Sequence, residues 1–263
     1  MDCYTERKNN LVLRKCARIS DTRLIKWFSG DKYKKQLTNP EERMFITYEK
    51  VRQNAAIQSY IRKADESLIA LGFTEHSFAH VTKVSETAAA ILEALGAEPR
   101  DIEMVRIAGY LHDIGNVVNR IDHAQSGAIM AFRLLDNMGA DPDEIATIIT
   151  AIGNHDESTA FPVNAVAAAL ILADKTDVRC TRVRNKDAST FDIHDRVNFS
   201  VKKSSVSVSP DKGEISLRLH IDTTICSVTD YFEIFLGRMI LCRKAAEKLG
   251  LKFVLRINGQ KLM

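Results

Sequence analysis

Apolar positions recur at helical spacing, segment after segment, between residues 74 and 184. Val84, Ala88, Ile91 and Leu95 form one stripe, closed by Gly96, and Ile102, Val105 and Gly109 form the next. Ala131, Leu134 and Leu135 mark a helix over 123–138. Asp141-Pro142-Asp143-Glu144 then supplies a cap, a proline at the first helical position and an acid two residues on, ahead of Ile145, Ile148, Ile149 and Ile152. Val163, Val166, Ala167, Leu170 and Ile171 carry a further helix over 163–178. Upstream, Asn39-Pro40-Glu41-Glu42 opens a long helix that runs to about Leu71 and stops at Gly72. Residues 1–39 hold only short apolar patches, which read as short helices packed on the main body.

The period then changes. Val206, Val208, Ile215, Leu217, Leu219 and Ile221 alternate with polar residues around a turn at Ser209-Pro210-Asp211-Lys212-Gly213. Val197, Phe199 and Val201 predict a preceding strand. Helical spacing returns at Phe232, Phe235, Met239, Cys242 and Leu249, and Leu251, Phe253, Leu255 and Ile257 alternate again. The fold class expected is mainly α: a helical core with a small C-terminal α+β unit. The domain reading is 1–73 as a helical segment on the core, 74–185 as the core and 195–263 as the α+β unit, with the charged run Arg182 to Asp195 between.

A chain of 263 residues with 45% hydrophobic residues can bury a substantial core. The formal charge of +3 makes no general case for nucleic-acid binding. The five cysteines are scattered and form no Cys-x-x-Cys, so neither a zinc ribbon nor a disulfide framework is indicated. No leader pattern and no membrane-length apolar run is present, which points to the cytoplasm.

The chemistry concentrates on positions that should be buried. His80 lies one turn before Val84, His112 extends the stripe through Gly109, His155 follows Ile152 by three, and Asp174 follows Ile171 by three. A buried, unpaired carboxylate costs several kcal/mol, so Asp174 needs a compensating cation, either a metal or a basic side chain. A single histidine on an apolar face is most often a hydrogen-bonded core residue. Four histidines (His80, His112, His123, His155) and two aspartates (Asp113, Asp174) so placed on several helices read as a metal cage. Imidazole and carboxylate donors without thiolate favour Mn, Fe, Co, Ni or Zn, and two ions could share Asp113.

The set His80, His112-Asp113 and Asp174 resembles the H…HD…D signature of the HD-domain phosphohydrolase superfamily, with His112-Asp113-Ile114-Gly115 as the second motif and Ala173-Asp174-Lys175-Thr176-Asp177 as the last. His123 and His155 match the two extra histidines of its dinuclear branch. The resemblance covers roughly residues 74–180. It implies a helical HD fold, two divalent metals per chain, and hydrolysis of a phosphate ester or anhydride of a nucleotide or other small phosphorylated metabolite by water activated at the metals. Many dinuclear members carry Lys where this chain has Asn116, so Arg120 and Lys175 become the candidates to meet phosphate, with Lys83 behind them. His76, Asn116, Asp156 and Asp177 are candidates for contact with substrate or for support of the ligands. The alternative is a metal- and nucleotide-binding sensor with little catalysis, motivated by Asn116 and the extra α+β unit. That unit could bind a ligand, cover the site or pair two chains as a homodimer.

Overall fold

The computed structural model describes residues 45–209 and 211–263. The short helices expected before residue 39 and the cap at Asn39 lie outside them. Among the described residues the chain forms nine α-helices and one four-stranded sheet.

α1 (Tyr48–Gln53) and α2 (Ala55–Ala70) occupy the stretch expected to be one long helix. Asn54 breaks it. Its backbone is extended, and its side-chain oxygen accepts from the N–H groups of Ala56 and Ile57, so it caps α2 instead of continuing α1. α3 (Phe78–Leu95) starts at the Ser77 cap and ends at Gly96. α4 (Pro99–Leu111), a 3-10 turn (Ile114–Val117), α5 (His123–Asn137) and α6 (Pro142–Gly153) follow, the last capped by Asp141 as expected. α7 (Ala165–Lys175) is capped by Asn164 and runs through the centre, with every side chain from Val166 to Ala173 buried. Its alanines let neighbouring helices approach on all sides, and it packs on α3, α4, α6 and α9.

The strand expected over 197–201 is a helix, α8 (Ile193–Ser200). Asp192 accepts from the Asp195 N–H and starts it. Val197 and Val201 are both buried because they stand one helical turn apart, while Phe199 is exposed. β1 (Val201–Val208) and β2 (Glu214–Ile221) form an antiparallel hairpin with Val206 opposite Leu217. α9 (Val228–Lys248) crosses over to β3 (Lys252–Ile257), which pairs parallel to β2 with Leu217 opposite Leu255. β4 (Gln260–Lys261) completes the order β1-β2-β3-β4. The pairing slips between Val201 and Lys203, leaving Lys202 as an extra residue on edge strand β1.

One apolar cluster holds Leu92 of α3, Ile107 of α4, Leu170 of α7, Leu217 of β2 and Phe235 of α9, so helices and sheet share a core. Gly109 allows α4 to press on α3: a Cβ there would lie 2.7 Å from the Ser85 Cα. No helix among the described residues is long and apolar enough to cross a membrane.

Candidate metal centre

Helix ends deliver the six candidate ligands to one point. His80 sits in the first turn of α3, His112 caps the end of α4 with Asp113 beside it, and His123 is the first residue of α5. His155 lies just past α6, and Asp174 is in the last turn of α7. Gly115 lets the turn after Asp113 touch α5: a Cβ there would come 2.1 Å from the His123 carbonyl oxygen. All four histidines are buried, His80 and His112 completely.

Each imidazole has one nitrogen spoken for. His112 Nδ1 donates to the Gly109 carbonyl at 2.8 Å, His123 Nδ1 to the Arg120 carbonyl at 3.0 Å, and His155 Nδ1 to the Ile152 carbonyl at 2.6 Å. A carbonyl can only accept, so these Nδ1 atoms carry the hydrogen and Nε2 is the atom left to face the site, with Arg120 Nη1 3.4 Å from that of His123. His80 Nδ1 donates instead to Asp177 Oδ2 at 2.8 Å.

The four Nε2 atoms converge on the two oxygens of Asp113. Oδ2 lies 3.1 Å from His112 and 3.5 Å from His80; Oδ1 lies 3.5 Å from His123 and 4.0 Å from His155. Asp174 Oδ1 faces the first pair, 3.4 Å from His80 Nε2 and 3.7 Å from His112 Nε2. His80 Nε2, His112 Nε2 and Asp113 Oδ2 are buried with no hydrogen-bond partner among the described residues. Buried polar atoms left unmatched are costly, and these aim at one another. His80, His112 and Asp174 form one group able to hold an ion, and His112, Asp113 and His155 another. Nitrogen and carboxylate donors of this kind fit a divalent transition metal.

The electrostatics suit a cation. Burial opposes charge on Asp113 and Asp174, yet surrounding groups hold both well below the usual carboxylate range: His112 first for Asp113, Lys175 first for Asp174. Burial and Arg182 push His80 down, but hydrogen bonds to Asp113, Asp174 and Asp177 outweigh them and raise it to about 9. Burial, then His112 and Lys175, hold His155 down at about 3, so it stays neutral.

Of the six candidate ligands, Asp113, His123, His155 and Asp174 line a cavity of about 340 Å³. Asn116 does not face it as the lysine of relatives was expected to do; its amide donates to Asp113 Oδ1 and to the Asp113 carbonyl, both at 2.9 Å, and fixes that carboxylate. Arg120 lines the cavity and donates to Asn116 Oδ1 at 3.2 Å. Lys175 also lines it, 2.7 Å from Asp174 Oδ2 and 3.8 Å from Glu157. His76 lines it with Nδ1 bonded to the Thr74 carbonyl, and burial, then Arg182, keep its ring neutral. Asp156 stands 3.9 Å from His123 Nε2. Asp177 backs His80 and is clamped by Arg179 Nε at 2.8 Å. Lys83 is not in this cavity.

Sequence reasoning missed part of the wall. His194 and Asn198 line the cavity from α8, and Arg238 lines it from α9. Arg182 is buried at the wall, its Nε donating to the Glu75 carbonyl and Nη1 to the Asp177 carbonyl. The signal for Arg238 lies in Glu157, 2.5 Å from it, but that pairing joins residues far apart in the chain.

Helix ends that converge on a buried cluster of imidazoles and carboxylates define a class: a helical metal-binding domain with its site at the floor of a pocket. Residues 77–179 match the HD domain family. An uncharacterized protein of Methanocaldococcus jannaschii is 23% identical over 190 residues, spanning 64% of this chain and 73% of that protein. A crystal structure of a predicted HD superfamily hydrolase from an uncultured Thermotogales bacterium shares 28% identity, covers 47% of this chain and 67% of that one, and has a TM-score of 0.38.

Proposed function

We propose that the chain hydrolyses a phosphate ester or anhydride of a nucleotide or other small phosphorylated metabolite. The observation that carries this is the set of buried, partnerless atoms His80 Nε2, His112 Nε2 and Asp113 Oδ2, the last lining a cavity that also holds Arg120, Lys175, Arg182 and Arg238. His80, His112 and Asp174 would hold one divalent metal and His123 and His155 a second, with Asp113 offering one oxygen to each. When bound, such a pair supplies Lewis-acid stabilisation of phosphoryl charge and activates water.

The remaining work falls to the chain's own groups. Asn116 and the carbonyls behind His112, His123 and His155 keep the donors aimed inward. Lys175 and Arg120 present cationic groups toward the cavity, where they would meet non-bridging phosphate oxygens and steady the leaving group. His76, with its Nδ1 hydrogen committed to Thr74, offers Nε2 as an acceptor. The cavity volume of about 340 Å³ is at the lower end for small-molecule sites, which suits a small metabolite or nucleotide and not a polymer.

Protein purified without chelator or metal-affinity tag should contain about two transition metals per chain and release phosphate from one member of a phosphoester panel when supplied with Mn or Fe. His112→Ala should abolish both metal content and turnover, and His123→Ala should cost the second metal first. Full turnover in His112→Ala would refute the assignment. Tight nucleotide binding with no phosphate release from any panel member would favour a sensor.

A further inference from the structure

A second hollow, of about 430 Å³, shares none of the residues that line the first cavity. Lys83 and Thr87 reach it from α3, Arg179 from the loop after α7, and Lys202, Lys203 and Ser205 from β1. Its one lining carboxylate, Asp177, is already engaged by His80, Arg179 and Arg182. Lys83 and Lys203 have no acidic partner among the described residues. Lys202 lies over the Phe199 ring at 4.6 Å, donates to the Phe199 carbonyl and has a carboxylate near it only in Asp222, which does not line the hollow.

Arg179 is paired with Asp177 and Glu75, but the three lysines that share its groove repel one another, and a fold gains nothing from that repulsion alone. Lysine on an edge strand does protect the edge from pairing. That accounts for a lysine on β1 but not for Lys83 on the helix opposite. Lys202 and Lys203 line the hollow along the edge strand together with Ser204, Ser205 and Val206. Hydroxyls of Thr87 and Ser205 add neutral donors.

We propose that this hollow is a second anion site, for a metabolite with two or more phosphates such as a nucleoside diphosphate or triphosphate. The site reports to the metal centre. Arg179 lines the hollow and also clamps Asp177, whose other oxygen holds His80 Nδ1. An occupant that takes hold of Arg179 alters the support behind His80, so it acts as an effector. The binding claim does not depend on the hydrolase reading, because it uses none of the metal ligands.

The test is calorimetric titration of the full chain with pyrophosphate and with ATP, as purified and again after chelation. A saturable site should survive chelation. It should weaken at least about tenfold in Lys83→Ala/Lys203→Ala, whose melting temperature is unchanged because both side chains are exposed. It should also weaken steeply with salt and persist in Arg238→Ala, which alters only the first cavity. Absence of binding after chelation, indifference to the lysine substitutions, equal loss in Arg238→Ala, or binding of ATP without pyrophosphate would each overturn the proposal.

Discussion

Replacing Asp177 with Asn tests whether His80 is held ready for a metal. The Asp177 side chain is 3% exposed and takes the His80 Nδ1 hydrogen at 2.8 Å. It also accepts from Arg179 Nε at 2.8 Å and lies 3.9 Å from Arg182 Nη1. The amide keeps the shape and removes the charge. Arg179, a quarter exposed, loses within about 1 kcal/mol. Arg182 is buried, and a buried charge stripped of its partner costs about 3–5 kcal/mol. Part of that is spared, because the carbonyls of Glu75 and Asp177 still accept from it at 3.0 and 2.9 Å. The expected loss is about 2–4 kcal/mol, or roughly 5–12 °C of melting temperature for a chain of this size. The larger effect falls on the metal. A ring that gives Nε2 to a metal must keep its one hydrogen on Nδ1, and an amide that turns its NH2 toward Nδ1 opposes that tautomer. Metal affinity should drop about 10–100-fold. Chelator competition for Mn or Zn near neutral pH, run beside calorimetry, measures both quantities. A variant that folds, melts lower and keeps its metal affinity within about twofold would refute the placement of His80 as a supported ligand.

Other expectations follow from the same geometry. Gly115→Ala places a Cβ 2.1 Å from the His123 carbonyl oxygen and 2.5 Å from the Gly127 nitrogen. It should cost about 1–3 kcal/mol or more in urea denaturation and shift His123, and an unchanged midpoint would count against the close packing. In the metal-free chain, His80, raised from 6.5 to about 9, adds stability that is full below 6.5 and lost as pH climbs through about 9. His155, lowered from 6.5 to about 3, adds stability present above 6.5 and lost as pH falls toward 3. Melting scans in chelator should therefore peak near pH 6.5, between the two windows, and a flat profile would contradict the opposed shifts. Metal binding below pH 9 should release the His80 proton, which titration in buffers of different ionisation enthalpy detects.

The helical core was readable because burial and chemistry collide at a few residues. Asp174 inside Leu170-Ile171-Leu172-Ala173 has no reason to be there without a cation, and the structure sets it 3.4 Å from His80. The cap at Asp141 was readable because a polar residue and a proline precede an apolar stripe. Asn54 escaped because an asparagine inside a helical stripe looks solvated until its side chain is seen capping the next helix. Val197, Phe199 and Val201 misled because three alternating residues satisfy strand and helix alike, and the Asp192 cap was the deciding clue. His194 and Arg238 were illegible as cavity residues. Their position depends on how α8 and α9 pack against helices far earlier in the chain, and periodicity says nothing about such pairings.

The shared core of α7 and α9 fixes the gauge of the cavity. Phe235 lies in the same apolar cluster as Leu170 and Ile171, and it also lines the cavity a turn before Arg238, while Asp174 and Lys175 form the opposite side from the end of α7. Wall and floor are therefore parts of one close-packed solid, and separating them would open the core itself. Trimming the Phe235 ring should enlarge the cavity at the cost of the core it belongs to.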